Sequence, residues 1–583
     1  MILVPISIEK NFSSIKDIVL LGDWCKNNYT SAIPKENILP YHWTDKNKLD
    51  KDFKYIEDLY EKLLPQFAKV LNNYHHATHS NMFWRITCGN WLKSFITVAF
   101  DRWYMAELAS NSYKINEVAL LDVDSYSLIP KNMAEYNNLC LNNDEWNSYI
   151  FYKIFERFTD LKIHKFQINR PKNLTSKLGF LKNYAKALTF KILSRLTFFL
   201  SKKNEVIFVD SYLPIKEQWR IENKLKQFPS FFKFDENIAR NPININKREE
   251  LKIAYHPIND FERFLISLIS EQIPVSYLEE YENIISKFNN FPSYSSVKAI
   301  YTANAHLFND QFNIWSAHAK ENGSKLIIGQ HGGGTRSLKN DSCLSHEYAI
   351  CDYYIAWGKG GSFNKKNIVL PVNKFSEYIP ESNTKKTGLL HVLDFNYRYV
   401  MYIFSNKILS EYENYLNDQK LFINFIDKKV FKGYKLRPNR NLINAGWCND
   451  FDIVGNNSVD TEKHFIKSIK KNKLIVATCN QTTFLQSLAM NIPTVGFWNS
   501  EQDVLEDSVI SDYKKLYDVG ILYDSPEAAA KHINEQWENI EEWWNSSQLQ
   551  TVRKEFCDKY VYTSTDSDRV KEWTIFFNRL IEN

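Results

Sequence analysis

No two of the eight cysteines form a CxxC pair, and none stands at metal-ligand spacing from a histidine. A disulfide framework or a zinc module is therefore not expected, and the cysteines read as small apolar residues of a reducing compartment. No uninterrupted apolar run approaches the roughly 18–20 residues that span a bilayer. The opening MILVPISIEK lacks the basic stretch and apolar core of a secretory signal. These absences point to a cytoplasmic protein, soluble or peripheral at the inner face of the cell membrane. No repeat of about 20–50 residues is evident, which excludes a solenoid or propeller. An excess of one charge is also missing: 73 Lys and Arg against 68 Asp and Glu give +5 over 583 residues. That balance is too mild for a nucleic-acid binder. What is present is apolar and aromatic: 44% hydrophobic and 15% aromatic residues can bury large cores and exclude global disorder. At about 150 residues per domain, the length suggests two to four domains.

The charge is unevenly placed. Between Asp160 and Glu205 stand eleven Lys and Arg and no acid, so the rest of the chain is net acidic. Within this run, residues 172–203 interleave Leu and Phe with Lys at roughly helical spacing. Such a segment can lie on an anionic membrane surface, gaining about 1 kcal/mol per basic residue. The plainer alternative is a solvated face over a core-packing helix.

Residues 1–110 read mainly as helix, with apolar residues at helical spacing over 54–75 and an apolar helix over 90–108. Strand-like runs follow at 117–123 and 204–213. Beyond residue 250, strands and helices alternate regularly, the signature of βαβ units. The chain is expected to be α/β, with two Rossmann-like lobes, a helical N-terminal region and a C-terminal helical tail. The predicted division is 1–360, with a basic insertion at about 160–204, and 361–583.

Three segments carry candidate chemistry. In KLIIGQHGGGTR (325–336), an apolar strand delivers His331 to its carboxyl end, where open α/β sheets place ligands. His331 can act as a general base, and Gly332, Gly333 and Gly334 let backbone N–H groups approach an anion. Arg336 adds a cation for phosphate. Glu347 is a candidate partner for His331 or a general acid. The alternative is a glycine-rich turn with His331 bonded to backbone. In LIVATCNQTTFLQSLAM (474–490), Asn480, Thr482 and Thr483 stand where a helix begins, with Gln486 one turn on; that start either is simply capped or binds a donor phosphate. In GYKLRP (433–438), Lys435 and Arg437 share one strand face and either assist a phosphate or are solvated. His42, His75, His76 and His79 have no carboxylate completing a metal set, so surface or core histidines are expected and no metal.

Two strand–helix lobes with a glycine loop in one and a polar helix start in the other resemble GT-B glycosyltransferases. At finer grain the chain is similar to a family of transferases from bacterial O-antigen and surface-carbohydrate clusters, first grouped from spirochaetes. The resemblance rests on LGDWC (21–25), LPYHW (39–43), WRITCGNWL (84–92), FDRW (100–103), GQHGGG (329–334) and NQTTFLQSLAMNIPTVGFWN (480–499). It implies a metal-independent transferase in surface-polysaccharide assembly. A nucleotide-activated sugar would be its substrate, with no cofactor, and a glycan or lipid-linked molecule its acceptor. A looser similarity to capsule-type ulosonic-acid and polyol-phosphate transferases touches His331-Gly332 and Thr482-Thr483. It departs at Gln486, where an acid is expected, and at Arg437-Pro438, where a His-Pro pair often stands, which weighs against a CMP-type donor. The alternatives are a sugar-nucleotide epimerase of the same architecture and a non-catalytic, membrane-associated scaffold of glycan assembly.

Overall fold

The computed structural model describes the chain apart from residues 9–16, 27–32, 158–160, 168–200, 202, 230–233, 235–240, 376–385, 395–396, 404–410, 439–457, 502–503 and 583. Among the described residues, the strands form three sheets in which every pairing is parallel. The first contains β1 (Ile2–Val4), β2 (Ile18–Leu20), β3 (Glu117–Leu121) and β4 (Lys162–Phe166), in the order β2-β1-β3-β4. The second runs in sequence order through β5 (Val206–Val209), β6 (Ala299–Thr302), β7 (Lys325–Gly329), β8 (Tyr353–Ala356) and β9 (Asn367–Val369). The third contains β10 (Gly388–Val392), β11 (Tyr434–Arg437), β12 (Asn472–Ala477), β13 (Thr494–Phe497) and β14 (Leu522–Tyr523), in the order β11-β10-β12-β13-β14. The inner strands AIYT and TVGF and the edge strand VIFV are buried throughout, as sheets covered on both faces require.

The α/β class and the paired Rossmann-like sheets agree with the sequence reading. The first sheet is an addition to it. Its β1 and β2 are three residues each, too short for a period-2 pattern to emerge. Strand β4 reads KIHKF, is partly exposed, and begins the stretch taken as a basic insertion. The expected N-terminal helices are present and pack against each other, while helix Asp144–Phe155 packs on β3. Helix Lys46–His75 is capped by Asp45, whose side chain accepts from the N–H groups of Asn47 and Lys48, and it ends in left-handed His76. Helix Asn81–Ser112 is buried around its whole circumference from Phe83 to Trp103, so it is a core helix rather than an amphipathic one.

The C-terminal helix Asp566–Glu582 returns to the second sheet. Trp573 and Phe577 pack on Phe208 and Tyr301, and Trp573 Nε1 donates to the Pro371 carbonyl at 3.1 Å. Of the basic run 172–203, only Ser201 and Lys203 are described, so the expectation of a membrane-facing element lies outside the described residues. Among the described residues, no helix is long and apolar enough to cross a membrane.

Candidate active site

Strand order locates a candidate ligand edge. In the third sheet the order reverses between β10 and β12, and ligands of open α/β sheets bind outside the carboxyl ends of strands at such a reversal. The turn after β12 is Thr478–Gln481. The glycine loop after β7 meets it from the second sheet: the Gly333 N–H donates to Thr482 Oγ1 at 2.9 Å. A Cβ on Gly333 would collide with the backbone of Gln481 and Thr482, and one on Gly334 with the Asn480 carbonyl. The glycines therefore let the two lobes touch backbone to backbone at this edge. Gly334 also holds φ at +79°, in the left-handed region. Gly334→Ala is expected to lower unfolding stability by about 1–3 kcal/mol, from strain and lost junction contact. A urea melt with an unchanged midpoint would refute this.

His331 opens the loop. Its Nδ1 lies 3.4 Å from Glu347 Oε1; the His331 side chain is 27% exposed and that of Glu347 fully buried. Nε2 of His331 takes no hydrogen bond among the described residues, so the ring offers that nitrogen to the edge. Burial opposes the charged imidazolium, but contact with the Glu347 carboxylate outweighs it and raises His331 above the ordinary histidine value. Burial likewise opposes ionisation of Glu347. The hydrogen bond from His306 and the close approach of both imidazoles outweigh it and lower the carboxyl to about 2. A fully buried, firmly ionised carboxylate has no proton to donate, so Glu347 stands as the partner of His331 rather than as an acid. Gln330 pins the loop: its Nε2 donates to the Gly332 carbonyl at 2.9 Å and its Oε1 accepts from the Trp357 N–H at 3.1 Å.

The helix Thr482–Ala489 has Gln481 at its N-cap, with no side-chain capping bond. The threonines therefore do not cap it. Thr482 reaches across to Gly333 instead, and Thr483 and Gln486 are partly exposed. The first-turn N–H groups keep the positive end of the helix dipole at the edge.

Other sequence candidates are committed elsewhere. Arg336 donates to the carbonyls of Gly358 at 2.8 Å and Ser362 at 3.1 Å, stapling the loop after β8. Asn480 is wholly buried and accepts from the Tyr513 hydroxyl at 2.9 Å. Arg437 pairs with Asp460 and donates to Ser468 Oγ and the Glu462 carbonyl, each at 3.0 Å. Lys435 is exposed on the edge strand β11.

Sequence reasoning missed three residues here. His306 follows β6 and bonds Glu347; a histidine just past a predicted strand end was the available signal. Lys374 donates to the His331 carbonyl at 3.2 Å and sits 4.6 Å over the ring of Tyr212, which holds φ at +60°. Burial lowers the Lys374 pKa. No sequence pattern foretold either Lys374 or Tyr212.

The N-terminal motifs assemble elsewhere. Asp101 accepts from the Tyr41 hydroxyl, contacts His42 Nε2 at 3.1 Å and pairs with Arg102 at 2.5 Å, while Arg102 also bonds Asn147 and the Val400 carbonyl. This buried cluster ties helix Asn81–Ser112 to the segment that follows β10. His75 bonds the Tyr277 carbonyl at 2.9 Å and His79 pairs with Glu321 at 2.8 Å. Among the described residues, no group of three or more His, Cys, Asp or Glu is placed to hold a metal ion.

A family model described as LIC12162 family transferase matches residues 1–577 of the chain. No curated protein matches it. Among solved structures, the chain is similar to a glycosyltransferase from Rickettsia africae ESF-5 at 10% identity and a TM-score of 0.33, over 65% of this chain and 98% of that one. It is similar to MurG of Acinetobacter baumannii at 10% identity and a TM-score of 0.32, over 63% of this chain and 98% of that one.

Proposed function

Because the chain belongs to the LIC12162 family of transferases, we propose that it transfers a sugar from a nucleotide-activated donor to a hydroxyl of a glycan or lipid-linked acceptor. In this reading the product enters O-antigen or capsule assembly, and the basic run 172–203 holds the protein at the inner face of the membrane. The observation that carries the reading is the pairing at one edge of a partly exposed, carboxylate-backed histidine with a helix start that lacks a side-chain cap. Those are the two groups that transfer from a phosphate leaving group requires.

His331 Nε2 takes the proton of the acceptor hydroxyl as its oxygen bonds the anomeric carbon. The bond from that carbon to the phosphate oxygen breaks, and its electron pair leaves with the nucleotide. The helix start at Thr482 and Thr483, with the Lys374 ammonium, faces the charge that grows on the phosphate. The Glu347 carboxylate stabilises the imidazolium formed on His331. No metal is needed to place these charges in this scheme.

A melting screen against UDP-, CMP-, GDP- and dTDP-sugars tests the donor class. A donor at 100 times its dissociation constant stabilises the fold by about 2.7 kcal/mol, which a melt resolves. One nucleotide class is expected to shift the transition. A flat response to all four would remove the nucleotide-sugar reading.

A further inference from the structure

Glu347 is held by two histidines on one oxygen. Its Oε1 contacts His306 Nε2 at 2.9 Å and His331 Nδ1 at 3.4 Å. His306 and Glu347 are fully buried, so His331 alone of the three reaches solvent. The positions are fixed from several elements. Thr302 Oγ1 accepts from the Ala305 N–H at 2.9 Å, holding the short turn of helix that carries His306, and Asn313 donates to the His306 carbonyl at 3.1 Å. Asp341 caps helix Ser342–Ile350, accepting from Cys343 and Leu344 at 3.0 Å each, and so places Glu347 beneath the loop. Among the described residues, Glu347 Oε2, His306 Nδ1 and His331 Nδ1 make no hydrogen bond, so the His306 bond is the strong contact Glu347 makes and its 3.4 Å approach to His331 is an ion-pair contact.

We infer that His306 is a positioning residue: its N–H keeps Glu347 ionised and aimed at His331 Nδ1, so that His331 presents an unprotonated, basic Nε2 to the acceptor. A carboxylate buried alone would take up a proton, because removing a charge from water costs several kcal/mol unless it is paired and hydrogen-bonded. A neutral Glu347 would no longer favour the proton on Nδ1 or the imidazolium. A carboxylate close to one ring nitrogen of a histidine favours the proton there and leaves the other nitrogen basic. The other charged groups near the relay are few. Asp341, raised to about 6 by burial, and Lys374 face His331, while Tyr354 faces Glu347. His346, itself held neutral by burial, feels His306 and the cations Lys93 and Arg85. None of these groups bonds Glu347.

The inference rests on His331 as the base, but its test needs no turnover. Histidines carrying 13C at Cε1 are titrated by NMR in the full chain, and the His331 signal is assigned by its loss in His331→Gln. In the wild type it is expected to titrate above the ordinary midpoint of about 6.5. His306→Phe, which removes the donor, should lower the midpoint by about one pH unit, a tenfold loss of proton affinity. Glu347→Gln should do the same, and His306→Gln, which keeps an N–H donor, should restore the wild-type value. An unmoved midpoint in a folded His306→Phe protein overturns the inference. If His306→Phe does not fold, equal midpoints in His306→Gln and Glu347→Gln overturn it instead. Unchanged transfer in His331→Ala would instead overturn the assignment of the base and leave the titration result standing.

Discussion

His331→Ala lowers turnover by about 10²–10⁴-fold while leaving the melting transition near the wild-type value, the range seen when a general base is lost. The size follows from position. The ring is partly exposed, so its removal leaves no large cavity, yet it carries the nitrogen that faces the edge. The pH profile adds a second check. A base works unprotonated, and Glu347 holds His331 above the ordinary histidine value. Transfer should therefore rise with pH through that elevated midpoint and level off above it. In Glu347→Gln the rise should move to lower pH while the plateau falls. The measurement is turnover of the donor found by the melting screen; full activity in His331→Ala with the fold intact would remove the histidine from the chemistry.

Arg569→Met lowers unfolding stability by about 3–5 kcal/mol, the usual penalty for breaking a buried ion pair from one side. Arg569 is fully buried on the returning C-terminal helix. It pairs with Glu217 through Nε at 2.5 Å and Nη2 at 2.7 Å, and donates to the carbonyls of Val372 at 3.0 Å and Phe375 at 2.7 Å. Its loss leaves a buried carboxylate with no partner and two carbonyls with one donor fewer. Replacing both charges, Arg569→Met with Glu217→Gln, should recover more than half of the loss, because the uncompensated charge is then gone. The two carbonyls keep the recovery incomplete. Urea midpoints of the two single variants and the double variant decide this. A loss below about 1 kcal/mol in Arg569→Met would show that the C-terminal helix is held by its apolar packing rather than by this pair.

Much of the candidate site was legible because its signals are local. LIIG followed by HGGG is a buried strand and then a chain reversal, and QTTFLQSLA is a polar turn and then an amphipathic helix; each pattern follows from a few neighbouring residues. The structure sets His331, Gly333 and Thr482 together at one edge, as those patterns suggest. The cations were not legible. Arg336, Arg437 and Lys374 look alike in sequence, yet the first staples carbonyls, the second pairs with Asp460, and the third leans on Tyr212 and His331. Nor were the glycines fully read: they admit the opposing turn as well as any ligand.

The sequence by itself determined the parallel α/β alternation, the carboxyl-end placement of His331 and membership of a transferase family. Those depend on burial period and on motifs that need no partner. Only the tertiary structure decided which charges meet. Glu347 lies 41 residues from His306 along the chain, and Glu217 lies 352 residues from Arg569. An ion pair or hydrogen bond acts over about 3 Å. Which groups come that close is set by how sheets and helices pack across the whole chain, and that packing leaves no local mark on either partner.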